Sequence, residues 1–174
     1  MRFTVNGVEH GIESHPLTPL LHVLREELGI TSPKAGCQQG GCGSCTVLVD
    51  GAPRRSCLVA AAAVDAAQIT TLEGLGTPEA LSPIQAAFHE NYAAQCGFCT
   101  SGMVLAAHAY LENGGGAERE SIQEALAGHV CRCTGYVKIL NAVSAAAGGE
   151  VTSSQRWLPR TGEEAPVEVP GSPA

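Results

Sequence analysis

Eight cysteines in two groups of four, with none left over, constrain this chain more than any other feature. The first group is Cys37-x4-Cys42-x2-Cys45, completed by Cys57. The second sets Cys96-x2-Cys99 against Cys131-x1-Cys133. Each group has the make-up of a four-thiolate metal site, so the fold must deliver ligands from separate segments to two fixed points. The N-terminus carries no charged stretch followed by an apolar run of the signal-peptide kind. In the reducing cytoplasm that this implies, cysteines read as metal ligands rather than disulfides.

The 174 residues, 44% of them hydrophobic, can bury a core and hold one or two small domains. A net charge of -7 disfavours nucleic acid and anionic membranes as partners. The longest apolar stretch, residues 57–64, is too short to cross a bilayer. A cytoplasmic protein with no membrane span is the expectation.

The first half reads as a small sheet with one helix. Residues 3–5 and 8–12 flank Asn6-Gly7, a strong hairpin signal. Thr18-Pro19 offers an N-cap and a first-turn proline for a helix with Leu20, Leu21, Leu24 and Leu28 on one face, stopped by Gly29. Residues 34–44 are loop. Residues 46–49, 57–59 and 69–72 are strand candidates, the first of them turned by Asp50-Gly51.

The second half reads as helices. One opens at Ser82-Pro83 with a capping box to Gln85 and an apolar face of Ile84, Ala87, Phe88 and Tyr92. Others cover about residues 100–113 and 118–126, and the last starts near Thr134. Four helices with short connections suggest a bundle. The break falls near residues 74–78, dividing the chain into 1–76, 77–147 and an extended tail, 148–174.

The first cysteine spacing is that of plant-type 2Fe–2S proteins. Gly36, Gly40, Gly41 and Gly43 interleave the ligands, allowing positive φ and bringing backbone N–H groups up to the sulfurs. Zinc also takes four thiolates, but usually from two C-x2-4-C pairs rather than three ligands on one loop. In the second group, Thr100 and Thr134 are capping types, so both ligand pairs are expected at helix N-termini, where the dipole favours an anionic centre. Zinc remains open there. A redox dithiol at Cys96-x2-Cys99 leaves Cys131 and Cys133 unexplained.

Lys34-Ala-Gly-Cys37-Gln-Gln-Gly40-Gly-Cys42-Gly-Ser-Cys45-Thr-Val47, Ser56-Cys57, Gln95-Cys96-Gly-Phe-Cys99 and Cys131-Arg-Cys133-Thr-Gly-Tyr136 together resemble the small iron–sulfur subunit of the molybdenum hydroxylases, the family of xanthine oxidase, aldehyde oxidoreductase and aerobic carbon monoxide dehydrogenase. The resemblance covers about residues 1–147. It implies an α+β fold: an N-terminal β-grasp, plant-type ferredoxin domain, then a C-terminal four-helix domain, each with one 2Fe–2S cluster. Cys37, Cys42, Cys45 and Cys57 would hold one cluster, and Cys96, Cys99, Cys131 and Cys133 the other. It implies that Gln95 and Cys133 touch the molybdopterin cofactor of a large catalytic subunit. An FAD-binding medium subunit, and a complex that dimerises as a whole, are further implied partners.

The expected function is therefore electron transfer within an oxidoreductase, with no catalytic residue on this chain. A free-standing two-cluster ferredoxin and a zinc-binding regulatory module are the alternatives. Two positions depart from the family pattern: Ser101, where proline is frequent, and His129, where asparagine is common. Neither removes a ligand, but His129 alters the hydrogen bonding near Cys131. The other histidines, His10, His15, His22, His89 and His108, share no ligand spacing and are expected on surfaces.

Overall fold

The computed structural model describes residues 1–148. The expectation for the tail therefore falls, from residue 149 on, outside the described residues.

Strands β1 (Arg2–Val5) and β2 (Val8–Gly11) pair antiparallel across Asn6 and Gly7. Both turn residues have positive φ, 50° and 83°, as a two-residue hairpin with right-handed strand twist requires. Asp50 and Gly51 repeat the device, at 49° and 79°, between β3 (Thr46–Val49) and β4 (Ala52–Arg55). With β5 (Gln68–Thr70) the sheet order is β2-β1-β5-β3-β4, and only β1 and β5 run parallel. The expected strand at residues 57–59 does not form. That stretch lies beyond β4, where Cys57 turns inward beside Cys45 instead of extending the ladder.

Helix α1 (Leu20–His22) runs on as a π-helical stretch, Val23–Glu27. Leu28 N–H reaches the Val23 carbonyl at 3.0 Å, one residue further back than an α-helix allows. Its N-cap is Pro19 rather than Thr18, with no side-chain cap bond. Leu20, Val23 and Leu24 pack on Phe3, Val5, Val47 and Ile69 of the sheet, forming one core. Each such side chain contributes about 1.5–3 kcal/mol on full burial.

Helices α2 (Pro83–Glu90), α3 (Thr100–Glu112), α4 (Arg119–Leu126) and α5 (Val137–Ala146) enclose a second core around Ile84, Phe88, Met103, Ile122 and Ile139. Gln85 Oε1 accepts from Ser82 N–H at 2.9 Å, the reciprocal bond of a capping box. Tyr92 is not on the α2 face. It follows the helix with φ 51° and half its surface exposed.

Helix α3 is buried on almost every side from Ser101 to Ala107, because it packs into the helical core on one side and against β3 on the other. Leu105 and Ala109 pack on Leu48 of β3. At Gly102 the helix comes so close to the first cysteine loop that an added Cβ would lie 2.2 Å from the Gly43 carbonyl oxygen. Among the described residues no helix is long and apolar enough to cross a membrane.

Candidate metal centres

The first cysteine loop is wrapped around its own sulfurs. Cys42 N–H donates to Cys37 Sγ at 3.3 Å, Cys37 N–H to Cys42 Sγ at 3.4 Å, and Gln39 N–H to Cys37 Sγ at 3.4 Å. Gln38, Gly40 and Gly43 all have positive φ, and this curls the chain so that its amides point inward. At Gly36 a Cβ would sit 2.9 Å from Cys42 Sγ, so the backbone must be bare there. The N–H donors from Gln39 and Cys42 hold the Cys37 thiol down to about 7. The Lys34 ammonium donates to the Thr31 carbonyl at 2.7 Å.

Cys45 and Cys57 face each other deeper in, buried with Leu21. Burial, reinforced by the contact with Cys45, pushes the Cys57 thiol up to about 11. Leu58, next in the chain, is 64% exposed and lies over Gly40, where an added Cβ would come 2.4 Å from its Cδ1.

The second group is assembled from two segments. Cys99 is the N-cap of α3, with Cys96 in the preceding turn. Cys131 and Cys133 arrive on the loop before α5. That helix starts at Val137, not near Thr134, after Gly135 and Tyr136 have both taken positive φ. Thr134 serves the sulfur instead: its N–H lies 3.4 Å and its hydroxyl 3.0 Å from Cys131 Sγ. Burial pushes Cys131 up, but these Thr134 bonds outweigh it and the net shift is downward. Burial, then the Cys131 contact, drives Cys99 up to about 12. The Tyr136 hydroxyl accepts from Cys131 N–H at 2.8 Å and donates to the His129 carbonyl at 3.1 Å.

Within each group the sulfurs draw together two by two: Cys37 and Cys42 each accept the other's backbone N–H, Cys45 lies with Cys57, Cys96 lies 3.6 Å from Cys133, and Cys99 meets Cys131. Among the described residues no three Cys, His, Asp or Glu side chains converge as they would on one metal ion. Pairs of thiolates suit a binuclear centre, in which each iron takes two protein sulfurs, whereas a single zinc draws all four to one point.

Exposure differs between the two ends of the second group. Cys99 and Cys131 are buried, whereas Cys96 and Cys133 open to solvent beside exposed Gln95 and Phe98. Between the groups, Val130 N–H donates to the Cys42 carbonyl at 2.9 Å. A single hydrogen bond therefore connects a cysteine of the first group to the neighbour of a cysteine of the second.

His129 is buried, and Arg55 and Thr46 lie against its ring. The sequence singles out His129 but not Arg55 or Thr46. Their only signal is position, two residues before Cys57 and one after Cys45.

Comparison with known proteins agrees with this geometry. Residues 3–72 match the model of the 2Fe-2S iron-sulfur cluster binding domain, and residues 71–144 that of the [2Fe-2S] binding domain. The chain is 43% identical over 143 residues to the small FeS component of nicotinate dehydrogenase from Eubacterium barkeri, covering 82% of this chain and 91% of that one. It is 43% identical over 147 residues to the aldehyde oxidoreductase of Megalodesulfovibrio gigas, covering 83% of this chain but 16% of that longer polypeptide. Among solved structures, a chain of quinoline 2-oxidoreductase from Pseudomonas putida 86 superposes with a TM-score of 0.79 at 43% identity, over 87% of this chain and 98% of that one.

Proposed function

The chain belongs to the small iron–sulfur subunits of the molybdenum hydroxylases, whose part in these oxidoreductases is electron transfer, and we propose that it performs this part with two 2Fe–2S clusters. Cys37, Cys42, Cys45 and Cys57 would hold one, and Cys96, Cys99, Cys131 and Cys133 the other. The pairwise grouping of the sulfurs carries this reading. We assign the first cluster to a β-grasp domain, residues 1–76, and the second to a four-helix domain, residues 77–147.

Bound clusters would supply the capacity to take up and release single electrons. The chain's own residues do the rest. N–H donors of Gln39, Cys42 and Thr134 aim at sulfur and favour the added negative charge. Leu21, Cys99 and Met103 lie in apolar surroundings that keep water from the inner sulfurs. The Val130–Cys42 hydrogen bond ties the two sets of sulfurs together.

The exposed end, Gln95, Cys96, Phe98 and Cys133, is where a large partner chain with a molybdopterin cofactor would dock, with Gln95 and Cys133 touching the pterin. An FAD-binding medium subunit, dimerisation of the whole complex and a cytoplasmic location complete the proposal. Relatives named for nicotinate, quinoline and aldehyde all share more than 40% identity with this chain. Substrate choice therefore belongs to another polypeptide.

Iron analysis and paramagnetic resonance test the proposal. The dithionite-reduced holoprotein should carry about four irons per chain, two per cluster, and two distinct binuclear signals. A colourless zinc protein, or a single signal, would refute it. Purification as a lone stable monomer would favour a free-standing ferredoxin instead.

A further inference from the structure

Polar groups from both domains meet behind the two cysteine loops. Arg55 ends β4, two positions before Cys57, and lays its guanidinium across the domain boundary. Nη1 donates to Thr46 Oγ1 at 2.6 Å and lies 3.3 Å from His129 Nε2. Nη2 donates to the Gly128 carbonyl at 2.7 Å. Thr46 Oγ1 in turn lies 3.0 Å from His129 Nε2 and 2.7 Å from the Gly43 carbonyl.

The ring meets the clamp through Nε2 and leaves Nδ1 on its other side. Among the described residues that Nδ1 has no hydrogen-bond partner, although the residue is only 5% exposed. Burying an unpaired polar nitrogen is costly. A ring turned outward would avoid that cost, so the contact made through Nε2 is what holds it in. Two glycines allow the approach. A Cβ at Gly43 would come 2.5 Å from the His129 ring, and one at Gly128 would come 2.3 Å from Arg55 Nη2.

We propose that Arg55 is a positioning residue: with Thr46 and His129 it clamps the loop leading into Cys131 onto the loop between Cys42 and Cys45, and so sets the separation and orientation of the two clusters. This rests on the two-cluster reading above. The clamp sits beside the Val130–Cys42 hydrogen bond and protects it. The apolar contacts of Leu48 with Leu105 and Ala109 hold the domains together through α3, not through residues 128–131. Removing the guanidinium therefore leaves the domains joined while freeing the second loop to shift.

The test uses the holocomplex with its partner chains, reduced with dithionite. Paramagnetic resonance reads the magnetic coupling between the two cluster signals, and metal analysis reads the iron. Arg55→Met should keep full iron and both signals while the coupling is lost or changed. Arg55→Lys, which restores a cation and a donor, should recover much of it. Gly128→Ala, which displaces Nη2 from the opposite side, should shift the coupling in the same way as Arg55→Met. Unchanged coupling in both Arg55→Met and Gly128→Ala overturns the clamp. So does loss of iron in both, because Arg55 would then be holding a fold rather than a distance. A wild-type complex with one signal instead of two would sink the two-cluster reading itself, and the clamp with it.

Discussion

Gly102→Ala sets helix propensity directly against packing. In an exposed helix the change stabilises by about 1 kcal/mol, because alanine loses less backbone entropy than glycine. Here the new Cβ would lie 2.2 Å from the Gly43 carbonyl oxygen and 3.3 Å from Ser44 Cα. That oxygen cannot swing aside freely. It accepts from Thr46 N–H at 3.0 Å and from Thr46 Oγ1 at 2.7 Å. Forcing the two backbones apart costs about 2–3 kcal/mol, the upper part of the usual overpacking range. The balance is a destabilisation of about 1–2 kcal/mol, which lowers the melting temperature of a domain this size by roughly 3–8 °C. Because the displaced atom lies between Cys42 and Cys45, the first cluster's signal should broaden while the second keeps its shape. Calorimetry on the iron-loaded protein measures the first effect and paramagnetic resonance the second. Gly41→Ala, where an added Cβ meets nothing within 4 Å, is the control and should change little. A Gly102→Ala protein that melts at or above the wild-type temperature would refute the close approach of α3 to the cysteine loop.

Three further outcomes follow from the same geometry. Cys42→Ser should disturb the first cluster alone, because the sulfurs of the two groups form separate pairs; iron content should fall by up to about half, with the second signal intact. Tyr136→Phe leaves Cys131 N–H and the His129 carbonyl without their shared hydroxyl; it should cost about 1–2 kcal/mol in urea unfolding and shift the midpoint potential of the second cluster only. His129 is pushed from its ordinary 6.5 down to about 4, first by burial and then by the Arg55 charge. The unfolded chain therefore holds a proton in that window that the folded chain lacks, and stability declines as pH falls through it, by up to about 3 kcal/mol. Urea unfolding of His129→Asn across the same window should lack this component; an unaltered acid limb would show that the ring is not buried neutral.

The local elements were legible where a short stretch decides its own geometry. Asn6-Gly7 and Asp50-Gly51 take the positive φ that their two-residue hairpins require, and Ser82, Pro83 and Gln85 start a helix from within one turn. The misjudged elements depended on distant contacts. Residues 57–59 have strand-like composition, but Cys57 is drawn inward beside Cys45 and Leu21. Thr134 has the chemistry of a cap, but it is spent on the Cys131 sulfur, and the helix waits for Val137. Leu28 sits at helical spacing, yet its N–H reaches back to Val23 through a π-turn.

Spacing along the chain is enough to divide the cysteines into two groups, because ligands a few residues apart on a glycine-rich loop can hardly avoid each other. It says nothing of which sulfur faces which, or how far one group lies from the other. Those depend on α3 lying against β3, on the bare Gly102 that lets it approach the cysteine loop, on the bare Gly43 that admits the His129 ring, and on Arg55 reaching across to His129, 74 positions along the chain. Close packing between segments distant in sequence is a property of the folded chain alone. The kind of centre was written in the residues; how the two groups of sulfurs stand to one another was decided in three dimensions.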